Sequence, residues 1–116
     1  MLSDVLLYCH ITYSDAPVSV IAVSPKEGPV TGNTLLTIWG ANFTDTTQIQ
    51  IRFANGSHIA TAVGTFIDSS RIVCVTPEFD SMMLVSVEVA LNGEQFTSNG
   101  VEFFYYGLLS IYVTTR

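Results

Sequence analysis

Charge is scarce in this chain. Asp, Glu, Lys and Arg together make up 12% of its 116 residues, about half the roughly 25% share of an average globular protein. Only Lys26, Arg52, Arg71 and Arg116 carry fixed positive charge, against a net charge of −6. Binding to a duplex rests on about 6–10 phosphate contacts, and four scattered cations do not supply them. Nucleic acid is therefore excluded as a partner of this chain by itself.

Reactive side chains are equally few. There are two histidines, His10 and His58, and two cysteines, Cys9 and Cys74. His10 and Cys9 are adjacent in an extended segment and point to opposite faces, so they do not form a nucleophile and base. His58 follows a turn and reads as a solvated strand-edge residue. Zinc needs about four closely set Cys or His ligands, and that spacing is absent. Cys74 alternates with apolar neighbours, which predicts a buried, inert thiol. Glu78 and Asp80, with Asp15, are the one acidic grouping worth weighing for calcium. They lack the six to eight oxygens (about that many) that the ion wants, and a solvated loop is the expectation. No metal, no cofactor and no catalytic residue is expected, so the chain is read as a non-enzyme.

Long apolar runs are missing too. The longest, "FFYYGLLSIYV" at 103–113, is interrupted by Gly107 and falls short of the roughly 18–20 residues that span a bilayer. Membrane attachment is expected only through other parts of a parent protein. The opening "MLSDVLLYCHI" has Asp4 where a signal peptide carries basic residues, and no small-residue cleavage site follows. If the domain is secreted, its export signal lies outside this sequence.

What the chain does contain is apolar alternation, at 48% hydrophobic residues. Period-two patterns separated by turn residues predict strands over Val18–Val23, Thr34–Trp39, Gln48–Ala54, His58–Val63, Arg71–Thr76, Leu84–Leu91 and Val101–Tyr106. Asn55-Gly56 and Asn92-Gly93 predict type I′ hairpin turns. Nothing reads as a helix. The fold class that follows is all-β, a two-sheet antiparallel sandwich. Its expected core comprises Leu36, Ile38, Ile49, Ile51, Phe53, Ile72, Cys74, Val85, Val87, Val89, Leu91, Val101, Phe103 and Tyr105.

The stretch "SPKEGPVTGNTLLTIWGANF", followed by "IQIRFANG", "RIVCVTP", "VSVEVALNGEQFT" and "VEFFYY", resembles the IPT/TIG family of immunoglobulin-like domains, shared by plexins and transcription factors. The resemblance runs from Val20 to Tyr106. Asn33 departs from it, standing where the family usually has a second glycine after Gly32, yet asparagine also tolerates a left-handed backbone. The resemblance implies an immunoglobulin-like, E-set-like sandwich. It implies less about role, since such domains occur in cell-surface receptors, transcription factors and polysaccharide-processing enzymes. The glycines and prolines of 25–40 read as corners between strands. No helix follows them to place an N-terminus against a phosphate.

The ends suggest an excised repeat. "YCHITYSDAPVSV" resembles "VEFFYYGLLSIYV" in form, with Tyr13 and Tyr105 separated by 92 positions (105 − 13). Residues 1–16 are expected to be the end of a preceding repeat, with its last strand at Val5–Tyr13, or an extra N-terminal strand. Residues 17–107 form the immunoglobulin-like domain. Residues 108–116, through Ser110–Thr115, are the start of a following repeat or a tail.

Two surface features bear on role. If Leu36, Ile38, Ile72 and Cys74 face inward, then Leu35, Trp39, Val73 and Val75 form an apolar outer patch where a protein partner docks, or which a neighbouring repeat or a folded-back Val5–Tyr13 strand covers. On the other sheet Gln50, Arg52, Ser86 and Glu88 are expected to face water, joined by Phe104 and Tyr106. The sequons Asn42-Phe43-Thr44 and Asn55-Gly56-Ser57 make Asn42 and Asn55 candidate glycosylation sites. The leading expectation is a non-catalytic spacer and protein-interaction module, one repeat of a larger cell-surface or secreted protein. The alternatives are a dimerisation scaffold of an intracellular transcription factor and an accessory domain of a polysaccharide-active enzyme.

Overall fold

Alternation along the chain puts every second side chain on one face of a pleated strand. A computed structural model, which describes residues 17–107, gives those faces a common interior. Nine strands occur among the described residues: β1 (Ser19–Ser24), β2 (Glu27–Pro29), β3 (Leu35–Ala41), β4 (Gln50–Asn55), β5 (His58–Val63), β6 (Thr65–Asp68), β7 (Arg71–Val75), β8 (Met83–Ala90) and β9 (Glu102–Tyr106). They form a four-stranded sheet ordered β1-β3-β7-β6 and a five-stranded sheet ordered β2-β9-β8-β4-β5. The seven expected strands are all present, and the two-sheet all-β class is as the sequence implied.

Two short strands were not expected, and each arises where the chain changes sheet. Ser24–Lys26 carries it from β1, antiparallel to β3, into β2, which runs parallel to β9. This parallel pair departs from an otherwise antiparallel sandwich. The other short strand, β6, follows the change of sheet at Gly64, after β5. A Cβ there would meet Ile49 Cγ2 at 2.7 Å and Ile72 Cγ2 at 3.0 Å, so the backbone itself lies against the core.

The interior holds the expected residues and several more. Leu36, Ile38, Ile51, Phe53, Ile72, Val87, Phe103 and Tyr105 are wholly buried, joined by Val20, Val23, Phe43 and Phe79. Leu91 and Val101 pack at its margin, only partly buried. Phe53, Phe103 and Tyr105 meet edge to face, and Phe79 stacks on Tyr105 with centroids 4.7 Å apart. The Tyr105 hydroxyl donates to the Pro77 carbonyl at 2.8 Å, which satisfies the polar end of a buried ring.

That bond also explains the Gly32-Asn33 corner. The segment 76–79 is stitched to the 30–34 turn by Asn33 N–H to Thr76 O, Thr76 N–H to Thr34 O and Phe79 N–H to Val30 O. Gly32 has φ +82°, and a Cβ there would lie 2.8 Å from the Pro77 carbonyl carbon. Asn33 follows at φ 66°, the left-handed conformation that its short polar side chain tolerates.

Both expected type I′ turns differ in detail. Asn55 pairs with His58, so the two-residue turn is Gly56-Ser57, with Gly56 alone at positive φ. Glycine first is the type II′ pattern. Asn55 is thereby freed to donate its side-chain amide to Leu84 O at 2.8 Å. Asn92-Gly93 does not close a hairpin. Asn92 Oδ1 instead accepts from the N–H groups of Glu94 and Gln95, starting a longer excursion before β9.

Candidate interaction face

The side chains of β3 and β7 that do not enter the core share the outer face of the four-stranded sheet. Register places Leu35 beside Val75, Thr37 beside Val73 and Trp39 beside Arg71. Leu35 is 65% exposed, Val75 51% and Trp39 40%, while Val73 is half-buried between its neighbours. The four apolar residues expected on this face are therefore together, on two adjacent strands of one ladder.

A charged stack bounds the patch at its Trp39 end. The Arg71 guanidinium lies over the indole, 5.5 Å from its centroid. Asp68, on β6, accepts from Arg71 Nε at 3.1 Å and Nη2 at 2.9 Å. The Asp68 carboxyl is lowered from its usual value to about 2, chiefly by the Arg71 hydrogen bonds and then by those from Ser70. Asp68 thus orients Arg71, and Arg71 covers one face of the indole with a planar cation. The stack leaves no signature in the sequence, because Asp68 lies in β6, a strand too short to show a pattern.

The outer face of the five-stranded sheet corrects one expectation. Glu88 does not face water: it is 4% exposed. The excursion 91–101 folds across β8 and covers it. Glu88 Oε1 accepts from the Thr97 hydroxyl and the Asn99 N–H, and Oε2 accepts from the Gly100 N–H at 2.8 Å. Asn99 Oδ1 in turn accepts from Val20 N–H at 2.8 Å, tying this loop to β1 of the other sheet. Arg52, paired opposite Glu88, turns instead onto the Phe96 ring at 4.3 Å. Tethering, not catalysis, is what this carboxylate does. Phe104 is half-buried and Tyr106 exposed, in line with their outward assignment.

The remaining candidates fall in separate places. His58 Nδ1 and Asp80 Oδ2 are 2.8 Å apart, both side chains exposed, so His58 has a partner the sequence did not indicate. Asp15 lies outside the described residues, as does Cys9. Among the described residues no three His, Cys, Asp or Glu side chains converge as a metal site would need. Cys74 is buried, and burial pushes its thiol up to about 12, which leaves no thiolate for chemistry near neutrality. Asn42 and Asn55 both sit at exposed turns. The Asn42 amide donates to Pro17 O at 2.6 Å, and a glycan on Nδ2 would leave one hydrogen for that bond. Among the described residues, shallow clefts of about 180, 150 and 280 Å³ dimple the surface, none larger than the low end of the roughly 300–1,000 Å³ range of small-molecule sites.

Relatives place this architecture. The chain is 33% identical over 93 residues to the dynein alpha chain of the flagellar outer arm of Chlamydomonas reinhardtii, a match covering 78% of this chain and 2% of that one. In backbone it is similar to the full extracellular region of plexin A4, domains 1 to 10, with TM-score 0.66 and 22% identity over 79% of this chain and 7% of that one. It is also similar to a protein of unknown function from Bacteroides thetaiotaomicron, with TM-score 0.65 and 24% identity over 78% of this chain and 22% of that one. At 22–24% identity the structural likenesses show the fold alone. The chain spans only a small part of the length of each relative. The IPT/TIG domain pattern matches residues 17–105. IPT/TIG domains are generally non-catalytic modules that mediate protein–protein interactions. With nearly the whole described sandwich inside that match, the chain belongs to the IPT/TIG family.

Proposed function

We propose that the chain is a non-catalytic module that spaces and docks parts of a larger protein, with the outer face of the β1-β3-β7-β6 sheet as its contact surface. The observation that carries this reading is the strip Leu35, Val75, Val73 and Trp39, held flat by the β3–β7 ladder. An apolar strip on a rigid ladder keeps its shape without a partner, so binding orders few groups and costs little entropy. Trp39 is its anchor, since tryptophan is enriched among the few residues that carry most of the energy of an interface. The occupant is a protein surface, either a neighbouring module of the same long chain or a separate partner. Residues 1–16 are read as the end of a preceding repeat or an extra N-terminal strand, and residues 108–116 as the start of a following repeat or a tail.

Compartment has support in two directions. The sequence-level relative is a flagellar outer-arm dynein chain, which favours an intracellular setting. Two exposed sequon asparagines, Asn42 and Asn55, favour an extracellular one. Glycosidase-sensitive mass on either asparagine in the native source excludes the intracellular setting.

The docking reading is tested by hydroxyl-radical footprinting of Trp39, the single tryptophan of the chain. Its oxidation should slow when the chain is embedded in its full-length parent or mixed with its partner. The double variant Trp39→Ser, Val73→Thr should fold normally and associate more weakly. Equal oxidation in both contexts, or unchanged association of the double variant, removes the face from consideration.

A further inference from the structure

Among the described residues β5 is an unpaired edge of the five-stranded sheet, and it has none of the usual defences. Gly64 N–H donates to Ile49 O at 3.1 Å, and the register runs Ala62 opposite Ile51, Ala60 opposite Phe53 and His58 opposite Asn55. Alternate residues of an antiparallel strand turn both backbone groups to the same side. His58, Ala60 and Ala62 therefore spend theirs on β4, and Ile59, Thr61 and Val63 present N–H and C=O outward. Ile59 is 59% exposed and Val63 70%. Natural edges are blunted by Lys, Pro, bulges or inward charges, and Ile59–Val63 contains none of these.

The sequence of the edge says what fits it. Ile59-Ala60-Thr61-Ala62-Val63 reads almost the same in both directions about Thr61. We propose that β5 pairs antiparallel with β5 of a second copy of this chain, with Thr61 on the two-fold axis. That register sets Ile59 of one copy opposite Val63 of the other, Ala60 opposite Ala62 and Thr61 opposite itself. Every outward N–H and C=O of Ile59, Thr61 and Val63 then has a partner. β-branched pairs and Thr–Thr pairs are among the favourable cross-strand neighbours, and the arrangement is isologous, as a closed dimer requires. Electrostatics point the same way. Two copies at net charge −6 repel, yet β5 carries no carboxylate and the outward residues of β4 are Gln50, Arg52 and Ala54. Two acids, Glu78 and Asp80, lie beside Ile59 and Ala60, and Asp80 is already held by His58.

One strand pair buries less than the roughly 1,200 Å² of a stable interface, so the dimer forms weakly and in proportion to concentration. Sedimentation velocity of the 116-residue chain from about 10 μM to about 1 mM spans that range. The wild-type coefficient should climb toward that of a dimer. Thr61→Glu should remain monomeric throughout: its carboxylate has Arg52 opposite it within the fold, but meets its own copy across the axis. Thr61→Pro removes only an outward N–H, leaves the β4 ladder intact, and should also abolish the dimer. Trp39→Ser, on the other sheet, should dimerise as wild type does, which separates this edge from the docking face. A wild-type chain still monomeric at the top of the range, a dimer that survives Thr61→Glu, or one lost in Trp39→Ser overturns the proposal.

Discussion

Replacing Glu88 by glutamine isolates the tether between the 91–101 excursion and the sandwich. The carboxylate receives the Thr97 hydroxyl and Asn99 N–H on one oxygen and the Gly100 N–H on the other. A glutamine amide keeps the shape but has one oxygen and one NH₂. With the NH₂ toward Gly100, that backbone N–H loses its acceptor. With the NH₂ toward Thr97, the hydroxyl can rotate to accept, but the Asn99 N–H is orphaned. Either orientation leaves one N–H without its acceptor and weakens the others by removing the charge. Orphaning a buried donor costs about 1–3 kcal/mol. Asn99 and Gly100 are exposed residues whose bonds to Glu88 are only partly buried, so the expected loss is at the low end, about 1 kcal/mol, or about 6 °C in Tm for a domain of about 90 residues. Glu88→Ala strips the acceptor from all three donors and should cost more. Urea melts give the free energies, and hydrogen exchange at the Asn99 and Gly100 amides should accelerate in Glu88→Gln ahead of global unfolding. A Glu88→Gln protein within about 0.5 kcal/mol of wild type, the range of an ordinary surface change, would refute the tether.

Gly32→Ala should cost at least about 2 kcal/mol by chemical denaturation, since it adds left-handed strain to a clash with the Pro77 backbone. Gly56→Ala, also at positive φ but with open space around it, should cost about 1 kcal/mol; equal losses at the two sites would refute the packing argument. In a Cys9→Ser background, Cys74 should react with a thiol reagent at pH 8 only at the rate of unfolding, because burial holds its thiol near 12. Labelling within the mixing time would contradict that burial. Asp68 is held at about 2, below the ordinary carboxylate value of 3.8, so its contribution to stability is present above the unfolded carboxylate range and is lost as pH falls toward 2. Asp68→Asn should flatten that acid limb in denaturation measured from pH 5 to pH 2, and an unchanged limb would remove the Arg71 bond as its cause.

The sequence by itself determined the sandwich and most of its core. Period-two alternation is a local property: once Leu36 and Ile38 face inward, Leu35 and Trp39 must face out, whatever the sheets do. The corner at Gly32-Asn33 was legible for the same reason, because positive φ is a demand on one or two residues. What the sequence did not determine is anything that depends on a segment far along the chain. Glu88 looked solvent-facing from its own strand, and only the return of 97–100 across β8 buries it. The β2 and β6 strands are too short for a pattern, and they exist because neighbours β9 and β7 offer them backbone partners. Trp39 could be read as exposed, but not that Arg71 and Asp68 would stack beside it, since that required β3, β6 and β7 to lie in one sheet. Local periodicity fixes which way a side chain points, while only closure of the two sheets fixes what it meets, because contacts between distant segments form only when the whole chain has folded.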